Sequence, residues 1–122
     1  MYLVSGGMRI MIDPIAEILN IPLENIRAQT LFFDEQGNYK SFCPDEPTCR
    51  AGGKEVALSQ IRKLKGYKTI AMVGDGATDM EAKNPGIGAD LTVGFGGVIE
   101  REIVLKKADW FVYSFNELIS EM

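Results

Sequence analysis

Histidine is absent from the 122 residues, and cysteine occurs only at Cys43 and Cys49. Two cysteines without histidine leave a zinc site short of ligands. Six positions apart in a proline-containing loop, they could pair, but reduced thiols are the plainer reading. No apolar run reaches the roughly 18–20 residues that span a bilayer. No basic segment followed by an apolar one marks a signal peptide. Positive charge is scarce too: 13 Lys and Arg against 17 Asp and Glu give a net charge of −4, which argues against a nucleic-acid footprint. What is plentiful is apolar content, 46%, enough for a sizeable core in one domain over 1–122. A soluble, cytoplasmic protein is expected, without nucleic-acid or membrane partners and with organellar targeting left open.

The chain is organised around Met72-Val73-Gly74-Asp75-Gly76-Ala77-Thr78-Asp79-Met80-Glu81. The apolar run Thr69 to Val73 suits a buried parallel strand. Gly74 and Gly76 then flank an aspartate where the chain can turn and approach a ligand. The end of a parallel strand is where open α/β sheets bind ligands. Asp79 follows Asp75 by four residues, about one helical turn. Two carboxylates framed by glycines suit Mg²⁺ with a phosphate as co-ligand; a plain turn with two solvated aspartates is the competing reading.

Earlier in the chain, Tyr2-Leu3-Val4 reads as a strand ending at Ser5-Gly6-Gly7. Entering a helix, that turn could hold an anion on unpaired N–H groups; a flexible turn is the alternative. Apolar residues from Met8 to Leu19 follow helical spacing, with a kink or restart expected at Asp13-Pro14. Ile26 to Phe33 predicts one strand, joined through Gln36-Gly37-Asn38 to Tyr39–Phe42 as a hairpin. Gly52-Gly53-Lys54 opens an amphipathic helix to about Leu64. Lys54 stands in its first turn, where the helix dipole disfavours a cation, so an anion nearby is the alternative to a solvated lysine. Later come a strand at Leu91–Val93, a glycine turn from Gly94 to Gly97, a helix from Ile99 to Lys106, a strand at Trp110–Val112 and a helix from Phe115 to Ser120. Strands alternating with helices indicate an α/β fold with a Rossmann-like parallel sheet, flanking helices and one small β-hairpin insert.

Ser5-Gly6-Gly7, Lys54 and Gly74 to Asp79, in this order, resemble motifs two and three of the haloacid-dehalogenase-like phosphatases, and within them the phosphoserine phosphatases. Leu19-Asn20-Ile21-Pro22, Gly52-Gly53-Lys54, Gly94-Phe95-Gly96-Gly97 and Ala108-Asp109-Trp110 extend the resemblance to essentially the whole chain. The run Gly74 to Ala82 is similar to the eukaryotic type. The resemblance implies Mg²⁺-dependent hydrolysis of O-phospho-L-serine, the last step of serine biosynthesis, through an aspartyl-phosphate. By position, Asp75 would ligate Mg²⁺ and Lys54 would hold nucleophile and phosphate. Ser5, Gly6, Gly7 and Thr78 would bind phosphate, and Asp79 would orient Lys54.

The family's first motif, Asp-x-Asp-x-Thr, which supplies the nucleophile, does not occur in the sequence. Nor does the helical cap that recognises serine. The chain is therefore expected to be a carboxy-terminal half lacking the first, central strand. Its partners are expected to be a small-molecule phosphomonoester, and an amino-terminal half or further copies of itself. A phosphatase inactive in isolation is one reading; a non-catalytic phosphate- or Mg²⁺-binding remnant, or partner of a full-length copy, is the other. A receiver domain of two-component signalling fits poorly, since its acidic pair comes early in the chain. Without the central strand the chain is expected to be partly unfolded, to aggregate, or to close by pairing Leu3 directly beside Ile70.

Overall fold

The computed structural model describes residues 1–121. Seven strands and five helices follow in the order β1 (Leu3–Met8), α1 (Arg9–Ile18), β2 (Ile26–Gln29), β3 (Leu31–Phe33), β4 (Tyr39–Phe42), α2 (Gly53–Lys65), β5 (Ala71–Gly74), α3 (Ala77–Glu81), β6 (Leu91–Phe95), α4 (Glu102–Lys107), β7 (Trp110–Val112) and α5 (Phe115–Ser120). Short 3-10 turns at Leu23–Asn25 and Pro47–Cys49 lead into β2 and towards α2. Among the described residues, no helix is long and apolar enough to cross a membrane.

The sheet is divided. β1 pairs with β2 in parallel, β5-β6-β7 form a second parallel sheet, and β3 and β4 make the antiparallel hairpin. Within the larger sheet Val73 lies opposite Val93, which in turn lies opposite Trp110. β1 and β5 do not pair, so the expected closure of Leu3 onto Ile70 does not occur. Both strands instead reach one apolar cluster around α2, in which Leu58 and Ile61 meet Met72 and Ala89 with Val4, Tyr2 and Ile70 packed alongside. A second cluster, Ala16, Ile21, Ile26 and Ala28, seats α1 against β2.

β1 and β5, which do not pair and border one neighbour each, leave backbone and side chains uncovered. The surface measures 7800 Å², whereas a folded monomer of this mass exposes about 6500 Å². The apolar stripe of α1 contributes, with Ile10 at 67%, Met11 at 65% and Ile18 at 80% exposure.

Several expected boundaries shift for identifiable reasons. The single strand over Ile26 to Phe33 breaks at Thr30, whose hydroxyl donates to Glu46 Oε1 at 2.7 Å; its N–H is also taken by that carboxylate. This carries the chain out of one sheet and into the hairpin. Helix α1 runs through Pro14. A proline here removes one backbone donor, and the remaining turns, with the Arg9–Asp13 ion pair at 3.4 Å, hold the helix together. Gly94, expected in a turn, belongs to β6 opposite Gly74 and Phe111. A Cβ there would lie 2.6 Å from the Phe111 ring, so the glycine serves packing between strands.

Helix α2 is fastened at both ends to the β5 side. Near its start Lys54 meets Asp79, and Glu55 accepts from Asn84. Near its end Arg62 donates to the carbonyls of Tyr67, Lys68 and Gly88 and to Asp90. Among the described residues, every side-chain hydrogen bond from α2 to another segment goes to this side. Asp90 also accepts from the N–H of Ile70 and of Gly86. Arg62 first, then these N–H groups, hold its carboxyl at about 2. Lys83, with the N–H and hydroxyl of Thr92, does the same for Asp109.

Both carboxyls titrate lower in the folded chain than the ordinary 3.8. Each therefore adds stability that is present above about pH 4 and lost as pH falls towards 2. Asp90→Asn and Asp109→Asn are expected to lower stability at pH 7, and the gap to the unsubstituted chain should shrink between pH 4 and 2. Urea unfolding across that range checks it; a gap independent of pH would remove the ion-pair explanation.

Candidate active site

The site grows from the end of β5. The chain leaves the strand at Gly74 and enters α3 at Ala77, which places Asp79 in the first turn of that short helix. Asp79 is 5% exposed. Its Oδ1 accepts from Lys54 Nζ at 2.5 Å and its Oδ2 from the N–H of Gly76 at 3.0 Å. A buried carboxylate is tolerable only when paired and hydrogen-bonded, and both conditions are met here. Room for it comes from Gly74, where a Cβ would stand 2.2 Å from the Asp79 carboxyl carbon. The lysine that sits oddly in the first turn of α2 thus finds its counter-charge across the molecule.

The sequence-derived site residues divide into two groups. Gly6, Lys54 and Thr78 line one cavity of about 120 Å³, together with Thr48, Arg50 and Glu81. Ser5, Gly7 and Asp75 do not line it. Ser5-Gly6-Gly7 lie inside β1 at an irregularity in its register with β2, two residues ahead of the helix. The expected turn into a helix N-terminus is absent here. The N–H of Gly7 donates to Ser5 Oγ at 3.0 Å, so that donor is engaged within its own segment.

Asp75 is exposed and faces Arg101, whose guanidinium pairs with its carboxylate and donates to its carbonyl at 2.8 Å. Arg101 escaped the sequence reading. The signal was available: Arg101 stands at the N-terminus of α4 without capping it, where a cation is as misplaced as Lys54 is in α2. Among the described residues no three His, Cys, Asp or Glu side chains converge to hold a metal. Asp75 alone, already paired, does not make a Mg²⁺ site on this chain.

No protein-family profile matches the chain. Curated sequences do. Over 121 residues it is 53% identical to the chloroplastic phosphoserine phosphatase of Arabidopsis thaliana, covering 99% of this chain and 41% of that protein. Over nearly its whole length the chain is similar in sequence to phosphoserine phosphatases. It spans about half the length of the curated relatives it matches, and 41% of the plant protein. A phosphoserine phosphohydrolase-like protein from Francisella tularensis superimposes with a TM-score of 0.87 at 29% identity, over 99% of this chain and 54% of that one. The fold is accordingly the α/β fold of haloacid-dehalogenase-like phosphoserine phosphatases. The structure of DsGPDH of Dunaliella salina also matches, with a TM-score of 0.83 and 38% identity, over 99% of this chain but 20% of that one.

Gly74→Ala is expected to destabilise the chain by about 1–3 kcal/mol, because the added methyl overlaps a carboxylate that cannot leave its partners. Gly76→Ala, whose nearest contact would be 3.3 Å, should cost far less. Thermal unfolding of the two variants compares them directly.

Proposed function

We propose that this chain carries the phosphate-binding and lysine–aspartate portion of a phosphoserine phosphatase, which converts O-phospho-L-serine to L-serine and phosphate. The observation that carries the proposal is the pair of Lys54 with the buried Asp79 at 2.5 Å, beside a cavity that Gly6 and Thr78 also line. Transfer of a phosphoryl group spreads negative charge over its equatorial oxygens, so catalysis is mainly positioning and charge stabilisation. Lys54 supplies a fixed cation for those oxygens, and Asp79 holds the ammonium at the cavity wall. The Thr78 hydroxyl and the backbone at Gly6 offer further polar groups, and Ser5, beside Gly6 on β1, would add a hydroxyl on turning towards the cavity. The sequence contains no Asp-x-Asp, so a nucleophile of that type comes from outside these residues. With further oxygen ligands from that complementary segment, and with its pairing to Arg101 released, Asp75 would offer one carboxylate to a Mg²⁺. Such an ion supplies charge neutralisation on the phosphoryl oxygens when bound. The reaction belongs to an aqueous compartment, cytoplasm or organelle; the plant relative is named as chloroplastic.

A second reading, binding without catalysis, is favoured by the Arg101–Asp75 pair and the lack of a converging acidic cluster among the described residues. Complementation separates the two. The chain alone is expected to release no phosphate from phosphoserine. Mixed or fused with the portion of the Arabidopsis relative that it does not span, it should gain Mg²⁺-dependent turnover. Lys54→Ala should then lower kcat/KM by about 10²–10³, on the order of 3–4 kcal/mol. Turnover by the chain alone, abolished by Asp75→Asn, contradicts the need for a second segment. Near-normal turnover of the complemented Lys54→Ala variant contradicts the role given to that lysine. Phosphate binding with no turnover in any complemented form supports the second reading.

A further inference from the structure

One wall of the cavity holds two residues that the phosphatase reading leaves unused. Thr48, in the 3-10 turn Pro47–Cys49, is 6% exposed. Its hydroxyl is buried without a hydrogen-bond partner among the described residues, yet the residue lines the cavity. A buried, unpaired hydroxyl is unfavourable, so a ligand that accepts from it recovers that loss. The turn is firmly placed. Gln29 Nε2 donates to the carbonyls of Gly6 at 2.5 Å and of Thr48 at 3.4 Å, tying it to β1. On the other side it touches α2 so closely that a Cβ on Gly53 would fall 1.8 Å from the Pro47 carbonyl oxygen.

Arg50 follows the turn and lines the same cavity. Its only side-chain bond among the described residues is from Nη1 to the carbonyl of Pro44 at 3.3 Å, and none of their ion pairs includes it. Lys54 has its charge matched by Asp79, which leaves Arg50 as the uncommitted cation of this wall. Helix α2 begins beside it without a side-chain cap; the N–H of Gly53 donates to the Arg50 carbonyl at 3.1 Å, and the other N–H groups of the first turn add donors and partial positive charge. Two carboxylates oppose them: Glu55 is engaged by Asn84, and Glu81 is exposed.

We propose that Thr48 and Arg50 bind the anion this cavity takes, a phosphate group free or esterified, as direct ligands beside Lys54. The inference rests on the phosphate-binding part of the reading above and adds two residues to it. The Thr48 hydroxyl donates to one phosphate oxygen, and the planar guanidinium of Arg50 matches a pair of them, a geometry that an ammonium cannot reproduce.

Titration of the purified chain with inorganic phosphate and with O-phospho-L-serine, by calorimetry and ³¹P NMR at fixed ionic strength, tests this. Thr48→Val, an isosteric change that removes the orphaned hydroxyl, should keep the fold by circular dichroism and weaken both ligands about fivefold. Arg50→Gln should weaken them about tenfold, Arg50→Lys should fall between, and Lys63→Gln on the exposed face of α2 should change nothing. Lys54→Ala separates this inference from the reading beneath it. Loss of binding in Lys54→Ala with unchanged affinity in Thr48→Val and Arg50→Gln overturns the inference alone. Unchanged affinity in Lys54→Ala with losses at 48 and 50 overturns the role of Lys54 and sustains the inference. No binding by the unsubstituted chain overturns both.

Discussion

The structure depends most on one buried carboxylate. Asp79 has to be charged to bind Lys54, and it is tolerated in the interior because an ammonium and a backbone N–H share its two oxygens. Removing the ammonium leaves an uncompensated buried carboxylate, a change typically costing about 3–5 kcal/mol. That requirement fixes several other choices. Residue 74 has to be glycine because a side chain there would occupy the carboxylate's place. The chain has to turn into α3 within three residues of β5, and α2 has to begin close enough for Lys54 to reach across. A salt bridge of this kind is a poor source of net stability. Its value here is geometric: it sets α2, α3 and the end of β5 in one relation.

Around that fixed point the molecule is two partial sheets sharing a core. Leu58 and Ile61 of α2 join Met72 of β5 with Val4 of β1, so the helix makes one cluster out of strands that do not pair. The surface of 7800 Å² and the bare stripe of α1 show how much apolar area this arrangement leaves in water. Unpaired strand edges of this kind are templates for other chains, which agrees with a unit that matches about half the length of its curated relatives.

Local chemistry made much of this legible in advance. The hairpin Leu31–Phe33 with Tyr39–Phe42 follows from a turn sequence between two apolar runs, and the strand at Trp110–Val112 and the helix at Phe115–Ser120 match their expected limits. Failures occurred where a distant partner decided the outcome. Thr30 is turned out of a continuous strand by Glu46, sixteen residues away. Gly94 looks like a turn residue until Phe111 is seen to need its space. The pairing of Lys54 with Asp79 was within reach through the motif resemblance; for Arg101 the sequence offers a cation misplaced at a helix start but no motif that names Asp75 as its partner.

The lopsided fastening of α2 gives the molecule a seam. On the β5 side the helix is bolted at both ends by charged and polar bonds; on the β1 side it has apolar contacts with Val4 and Tyr2 and the close approach of Gly53 to Pro47. Apolar adhesion weakens on cooling, whereas the bolt at Asp90 weakens in acid as its carboxyl protonates. Cold loosens the apolar contacts on both sides of the helix, because Met72 and Ala89 pack against it as Val4 does, whereas acid reaches only the β5 side, at Asp90. The β1 side, which has no side-chain hydrogen bond to α2 among the described residues, has nothing polar to hold it when those contacts weaken.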